Sequence, residues 1–237
     1  MKKPFGIPSF LSRKPFRILV LLILPVLSFT MVSAQNQDFR SWWNVDLSKD
    51  ISKDVKAGLE LSQRFKENSL RYDRSLATLG LEYEVIKNLS LEGGFRYIAV
   101  KDNSQVFVSR YRLHGNVSYD YKLDRITLKI RERVQYGFND LNSVDDFYSN
   151  SLTNRTRFSI DYDIFGSPFS IRSSYELFVD LNDPEGFTIS DHRLQAGLRL
   201  KLNSKSDLDF SYMFDMEVNK VNPLRSNVLI LTLGYDL

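Results

Sequence analysis

Residues 118–138 read "SYDYKLDRITLKIRERVQYGF", and their alternation decides the fold. On one side of an extended chain fall Tyr119, Tyr121, Ile126, Leu128, Ile130, Val134, Tyr136 and Phe138. On the other fall Ser118, Asp120, Thr127, Lys129, Arg131, Arg133 and Gln135, with Lys122-Leu123-Asp124 as a polar turn between the halves. Period two sustained over this length marks paired strands and not a helix. The open question is whether the apolar face looks into a protein core or out into lipid.

The same alternation runs from Gln35 to the last residue. Leu79, Leu81 and Tyr83 alternate with Gly80, Glu82 and Glu84; Leu89, Leu91, Phe95 and Tyr97 alternate with Ser90, Glu92 and Arg96. Later segments repeat it around Phe158–Tyr162, Phe169–Val179, Ala196–Leu202, Leu208–Met216 and Leu229–Leu237. Connections also alternate. Short ones fall near Ser48–Lys53, Ile86–Asn88, Lys122–Asp124, Phe165–Pro168 and Asn203–Ser206; generally longer, polar ones near Lys66–Arg71, Lys101–Gln105, Asn139–Asn150, Leu181–Thr188 and Asn219–Asn227. Tight turns on one rim and longer loops on the other fit an outer-membrane barrel.

The N-terminus points to export. Lys2, Lys3, Arg13, Lys14 and Arg17 precede the apolar run "ILVLLILPVLSF" (18–29), and "MVSAQ" supplies small residues at Val32 and Ala34. This is a secretory signal peptide over residues 1–34, with the mature domain at 35–237. The leader holds five of the 32 Lys and Arg and none of the 29 Asp and Glu, which leaves 27 basic against 29 acidic residues. The apparent basicity therefore belongs mainly to the leader and gives no support for nucleic-acid binding. With no Cys and two His, the chain offers neither a disulfide scaffold nor a credible zinc site.

A soluble β-sandwich would also alternate, with its apolar faces inward. Against it stand strands long enough to cross a bilayer at a tilt, and aromatic residues near strand ends (Tyr83, Tyr97, Tyr121, Phe138, Tyr162, Phe169). The other face is dense in charge. In hydrocarbon every backbone group needs a partner within the protein, so a closed sheet with its apolar row on lipid and its charged row on the lumen answers all three. The expected fold is all-β: a transmembrane antiparallel up-and-down barrel of about 10–12 strands. Five hairpins and a final strand make eleven segments, whereas single-chain bacterial barrels have even counts, so ten or twelve is expected. Residues Gln35–Arg40 would then form an extra strand, or one segment would be no strand. Glu132 interrupts an apolar row, and a bulge or a position above the hydrocarbon would account for it.

The last stretch, "SNVLILTLGYDL" (226–237), resembles the C-terminal insertion signal read by the barrel-assembly machinery, with Leu237 where Phe is more typical. "DFRSWWNVDLSKDISKDVKAGLELSQRF" (38–65) and "LGLEYEVIKNLSLEGGFRY" (79–97) resemble an uncharacterised family of Bacteroidota outer-membrane β-barrels, a domain of unknown function. The resemblance spans the mature chain and implies a bacterial outer-membrane location, with lipid and lipopolysaccharide as surroundings. It implies no substrate and no active-site residue.

Catalytic, cofactor and metal sites are not expected. His114 and Ser118 share a face but lie about 13 Å apart along a strand. Ser190 and His192 are read as sharing a face, without evident oxyanion donors. The acidic loop "NDLNSVDDFYSN" (139–150) lacks calcium-loop spacing. The functional candidate is the lumen. Arg64, Arg74, Arg96, Arg110, Arg112, Arg131, Arg133, Arg155, Arg157, Arg172 and Arg199 are expected to point inward, facing Glu60, Glu82, Glu84, Glu92, Asp161, Asp163 and Glu176. Either they line a path for a small anionic solute or they interlock across the barrel as a plug of ion pairs. Mixed charge favours the plug, with little steady conductance. The expected function is non-enzymatic: a structural barrel or narrow solute channel. The alternative is a lipid- or lipopolysaccharide-modifying hydrolase, and an adhesin or surface receptor is a third class.

Overall fold

The computed structural model describes residues 37–101, 106–139, 150–220 and 222–237. The leader, its cleavage point and the acidic loop at 140–149 lie outside the described residues. Eleven strands follow one another in the order β1 (Gln37–Asp50), β2 (Val55–Lys66), β3 (Arg71–Ile86), β4 (Leu89–Lys101), β5 (Phe107–Leu123) and β6 (Ile126–Asn139). They continue as β7 (Ser151–Asp163), β8 (Phe169–Asp180), β9 (Thr188–Lys201), β10 (Ser206–Glu217) and β11 (Arg225–Asp236). Each pairs with its sequence neighbours and the sheet closes on itself. With strands of 12 to 17 residues, every one is long enough to span hydrocarbon at a tilt.

The expected even count is corrected to eleven among the described residues. Residues 37–40 belong to β1 and form no strand of their own. An odd number of up-and-down strands leaves the first and last running the same way. Closure is accordingly parallel, from Gln37 opposite Arg225 to Ser48 opposite Asp236, while the other pairs are antiparallel. Closure satisfies the backbone groups that two free edges would leave bare.

The opening hairpin forms as read, with its turn tightened to Asp124-Arg125 and Asp124 in the left-handed region at φ 51°. Asn88 takes the same conformation (φ 73°) in the two-residue turn between β3 and β4. Asn and Asp tolerate this region because their short polar side chains bond locally.

The apolar row is outside. Leu79 and Leu81 are 60% and 61% exposed, whereas Val228, on the inner face, is 0% exposed. This exposure is the inverse of a sandwich and suits a wall immersed in lipid. Stacked rings Tyr136, Phe138, Tyr111 and Phe95 form an aromatic belt on β4–β6 near the long-loop rim. Inside, Met213, Val228 and Ile230 make a small apolar cluster against Trp42. Leu76, Ile98 and Phe178 are also buried on the inner face, and the rest of the cavity lining is mainly polar.

Candidate functional site

Alternation aims every second residue of each strand into the lumen, and register then decides which charges meet. The result is unusual in one respect. Four arginine pairs sit directly opposite each other on neighbouring strands: Arg64 with Arg74, Arg96 with Arg112, Arg131 with Arg157, and Arg133 with Arg155. Like charges placed so are destabilising unless something neutralises them.

On β6–β8 the neutralising group is Glu176, which is 1% exposed. Its Oε1 accepts from Arg131 Nη2 at 2.8 Å and Arg155 Nε at 3.2 Å; its Oε2 accepts from Arg155 Nη2 at 2.9 Å and Arg157 Nη2 at 2.7 Å. Phe178 shields this cluster, with the Arg155 and Arg193 guanidinium carbons each 4.4 Å from its ring centre. Arg133 donates instead to Asn116 Oδ1 at 2.6 Å, and Asn116 donates to Glu92 Oε2 at 2.6 Å. The amide thus relays between guanidinium and carboxylate.

On β2–β5 neutralisation is incomplete. Arg96 bonds Glu60 at 2.9 Å and Thr78 Oγ1 at 2.6 Å, and Arg74 bonds Asp73 at 2.8 Å. Arg64 and Arg112 have no ion pair among the described residues, and the Nε of each is buried without a hydrogen-bond acceptor. Arg64 lies flat against the Trp42 ring at 3.7 Å, a cation–π contact that partly replaces a counter-ion.

The plug expected from mixed charge does not take the form of side chains interlocking across the barrel. Every ion pair between strand residues, among the described residues, joins one strand to itself or to a strand at most two places away, as in Arg172 with Asp161 and Asp209, or Arg193 with Asp215. The reason is reach and register: a carboxylate one or two strands off is closer than one across the lumen. The charges therefore hug the wall, and a cavity of about 780 Å³ remains. Its lining extends from Glu217 and Lys220 at the long-loop rim to Ser48 and Asp236 at the short-turn rim.

The expected lumen residues divide accordingly. Arg64, Arg74, Arg96, Arg112, Arg131, Arg133, Arg155, Arg157, Arg172 and Arg199 all line this cavity, with Glu60. Glu176 lies beneath arginines, and Glu92 belongs to the network with Asn116. Glu82 stands directly opposite Glu92 in the sheet, near the short-turn end, with no arginine on it among the described residues. Arg110 lies on β5, two residues towards the long-loop rim from Arg112.

Arg193, Asp209 and Trp42 are among the lining residues that escape the sequence reading. Arg193 and Asp209 would have followed from carrying the alternation of β9 and β10 outward from Leu198 and Leu208. Trp42 could not be told from Trp43 by composition. Alternation puts Trp42 inside, against Arg64, and leaves Trp43 54% exposed.

The histidines have structural partners. His114 sets its Nε2 3.2 Å from Glu92 Oε1, filling the space that Gly94 leaves, where a Cβ would strike the ring. Ser190 and His192 do not share a face. The β8–β9 register skips Ser190 at an irregularity, so Ser190 lines the lumen while His192 bonds the exposed Tyr175 hydroxyl outside. Among the described residues, neither histidine has a serine hydroxyl as its hydrogen-bond partner.

Residues 39–224 match the family described as "Protein of unknown function (DUF2490)". The chain belongs to this family. No curated protein matches it in sequence. Among solved structures, the NanC porin superposes with a TM-score of 0.54 at 13% identity, covering 84% of this chain and 99% of that one. The translocator domain of the autotransporter NalP from Neisseria meningitidis gives 0.46 at 10% identity, covering 74% and 72%. At such identity the likeness is one of fold: this DUF2490 chain has the barrel architecture of an outer-membrane porin.

Proposed function

We propose that the protein is a narrow channel of the bacterial outer membrane for small anionic solutes. One observation carries the reading: a cavity lined from rim to rim, in which Arg64 and Arg112 have no ion pair with a carboxylate of the described residues. Such guanidiniums lower the barrier for an anion without trapping it between paired groups. A porin among the structural relatives supports a channel over a purely mechanical barrel. The export leader and the C-terminal stretch 226–237 support secretion followed by insertion through the barrel-assembly machinery. Long loops would then face outward, short turns the periplasm, and lipid and lipopolysaccharide the outer wall.

The test is conductance of the full mature chain reconstituted in planar bilayers under a potassium chloride gradient. A reversal potential on the anion side is expected, reduced when Arg64→Ala and Arg112→Ala are combined. Cation selectivity, or no conductance above bare lipid from heat-modifiable folded protein, would overturn it.

A further inference from the structure

The outer wall of β4–β7 carries a feature that lipid does not explain. Glu132 is the seventh of fourteen residues in β6, midway between the rims, and its exposed side chain points away from the lumen. The bulge expected to account for it is absent: pairing runs without a register shift through Val117, Glu132 and Thr156. Nor does it lie above the hydrocarbon, because Ile130 and Val134 flank it and the aromatic belt at Tyr136 lies beyond. A carboxyl at this depth is too far from either interface for a short side chain to reach water, and it is costly against lipid.

Among the described residues its hydrogen-bond partner is Thr156, whose hydroxyl donates to Glu132 Oε1 at 2.6 Å, leaving Oε2 open. Asn154, one outward position further along β7, adds an amide donor. Beside this polar patch two glycines leave open space in the apolar wall. Gly93 and Gly115 lie opposite each other with no heavy atom closer than 4.0 Å to where a Cβ would sit. Small residues permit close backbone approach between membrane segments, and polar groups add interhelical-type hydrogen bonds at such contacts.

We propose that this wall is an interface, and that its occupant is a second copy of the same chain. The patch is self-complementary, carrying both the acceptor (Glu132) and donors (Thr156, Asn154) on adjacent strands. A two-fold axis running along the barrel direction between β6 and β7 sets Glu132 of each copy against Thr156 and Asn154 of the other, as an isologous contact requires. The glycine-floored wall flanks that axis and lets the barrels close together. No Lys or Arg occupies the patch, which argues against an acidic partner. The inference rests on the wall facing hydrocarbon and is independent of what the lumen passes.

The chain has no Cys, so single-cysteine variants report the contact directly. Val134→Cys should give disulfide-linked dimers of full-length protein in lipid nanodiscs. Leu229→Cys, on the wall of β11, should not. Glu132→Leu should weaken self-association by about tenfold, and Glu132→Gln, which keeps one acceptor oxygen and adds a donor, should weaken it less. Heat-modifiable migration of each variant separates a lost interface from a lost fold. Monomers at every protein-to-lipid ratio, dimers indifferent to Glu132→Leu, cross-linking through Leu229→Cys instead, or a different protein captured by Val134→Cys in native membranes would each overturn the proposal. Channel selectivity is read in a separate experiment, so either reading can fail alone.

Discussion

Two parts of the lumen wall use the same cross-strand arginine pairs and bond them differently. On β6 and β7, three of the four paired arginines bond Glu176, a carboxylate 1% exposed, and Arg133 reaches Glu92 through Asn116, so every guanidinium is tied to a carboxylate directly or through one amide. On β2–β5, two more arginine pairs share Glu60 and Asp73, and Arg64 and Arg112 are left over. The first region is a cross-strand brace, since breaking a buried pair exposes an uncompensated charge. In the second, Trp42 lies against Arg64, and the unpaired guanidiniums are what the proposed channel would offer to a solute. Residue type alone does not assign an arginine to a brace or to an unpaired site; whether a carboxylate lies within its reach does.

The sharpest way to break this comparison is Glu176→Gln. Removing the negative charge while keeping the shape should destabilise the barrel by about 3 kcal/mol, because Arg131, Arg155 and Arg157 then repel without a counter-ion. Urea titration in detergent, read by heat-modifiable migration, measures it. An unchanged midpoint would make the brace no different from the open side.

Arg64→Ala combined with Arg112→Ala should act in the opposite sense. Anion-to-cation permeability should fall about fivefold, near 1 kcal/mol, while the urea midpoint holds or rises. A large loss of stability with selectivity unchanged would exchange the roles of the two regions.

A smaller effect is expected from Arg131→Ala. Glu176 keeps Arg155 and Arg157, so stability should fall by about 1 kcal/mol and conductance rise modestly as the lumen widens. Measuring both on one preparation shows whether brace and passage are coupled.

Smallest of all is His192→Ala, on the outer wall. It loses one hydrogen bond to the exposed Tyr175 hydroxyl, for about 0.5 kcal/mol or less, with no change in selectivity. His192 thereby serves as an external control for substitutions inside the lumen.

The sequence by itself determined the direction of nearly every side chain. Strand geometry has period two, so once "ITLKIRERVQYGF" is extended, Arg131 and Arg133 must share the face opposite Ile130 and Val134. The density of charge on that face then excludes a packed apolar interior. Alternation carries no information about register, and register needs the closed sheet. Arg131 lies 45 residues from Glu176, and only the order β6-β7-β8 with its pairing sets them 2.8 Å apart. The strand count was open for the same reason, since a segment proves to be a strand through its neighbours on both sides. Parallel closure of β1 on β11 is a property of the whole circuit. Whether arginines meet across the lumen or along its wall was likewise decided by tertiary structure, because side-chain reach competes with barrel width, and neither width nor register is written in the local pattern.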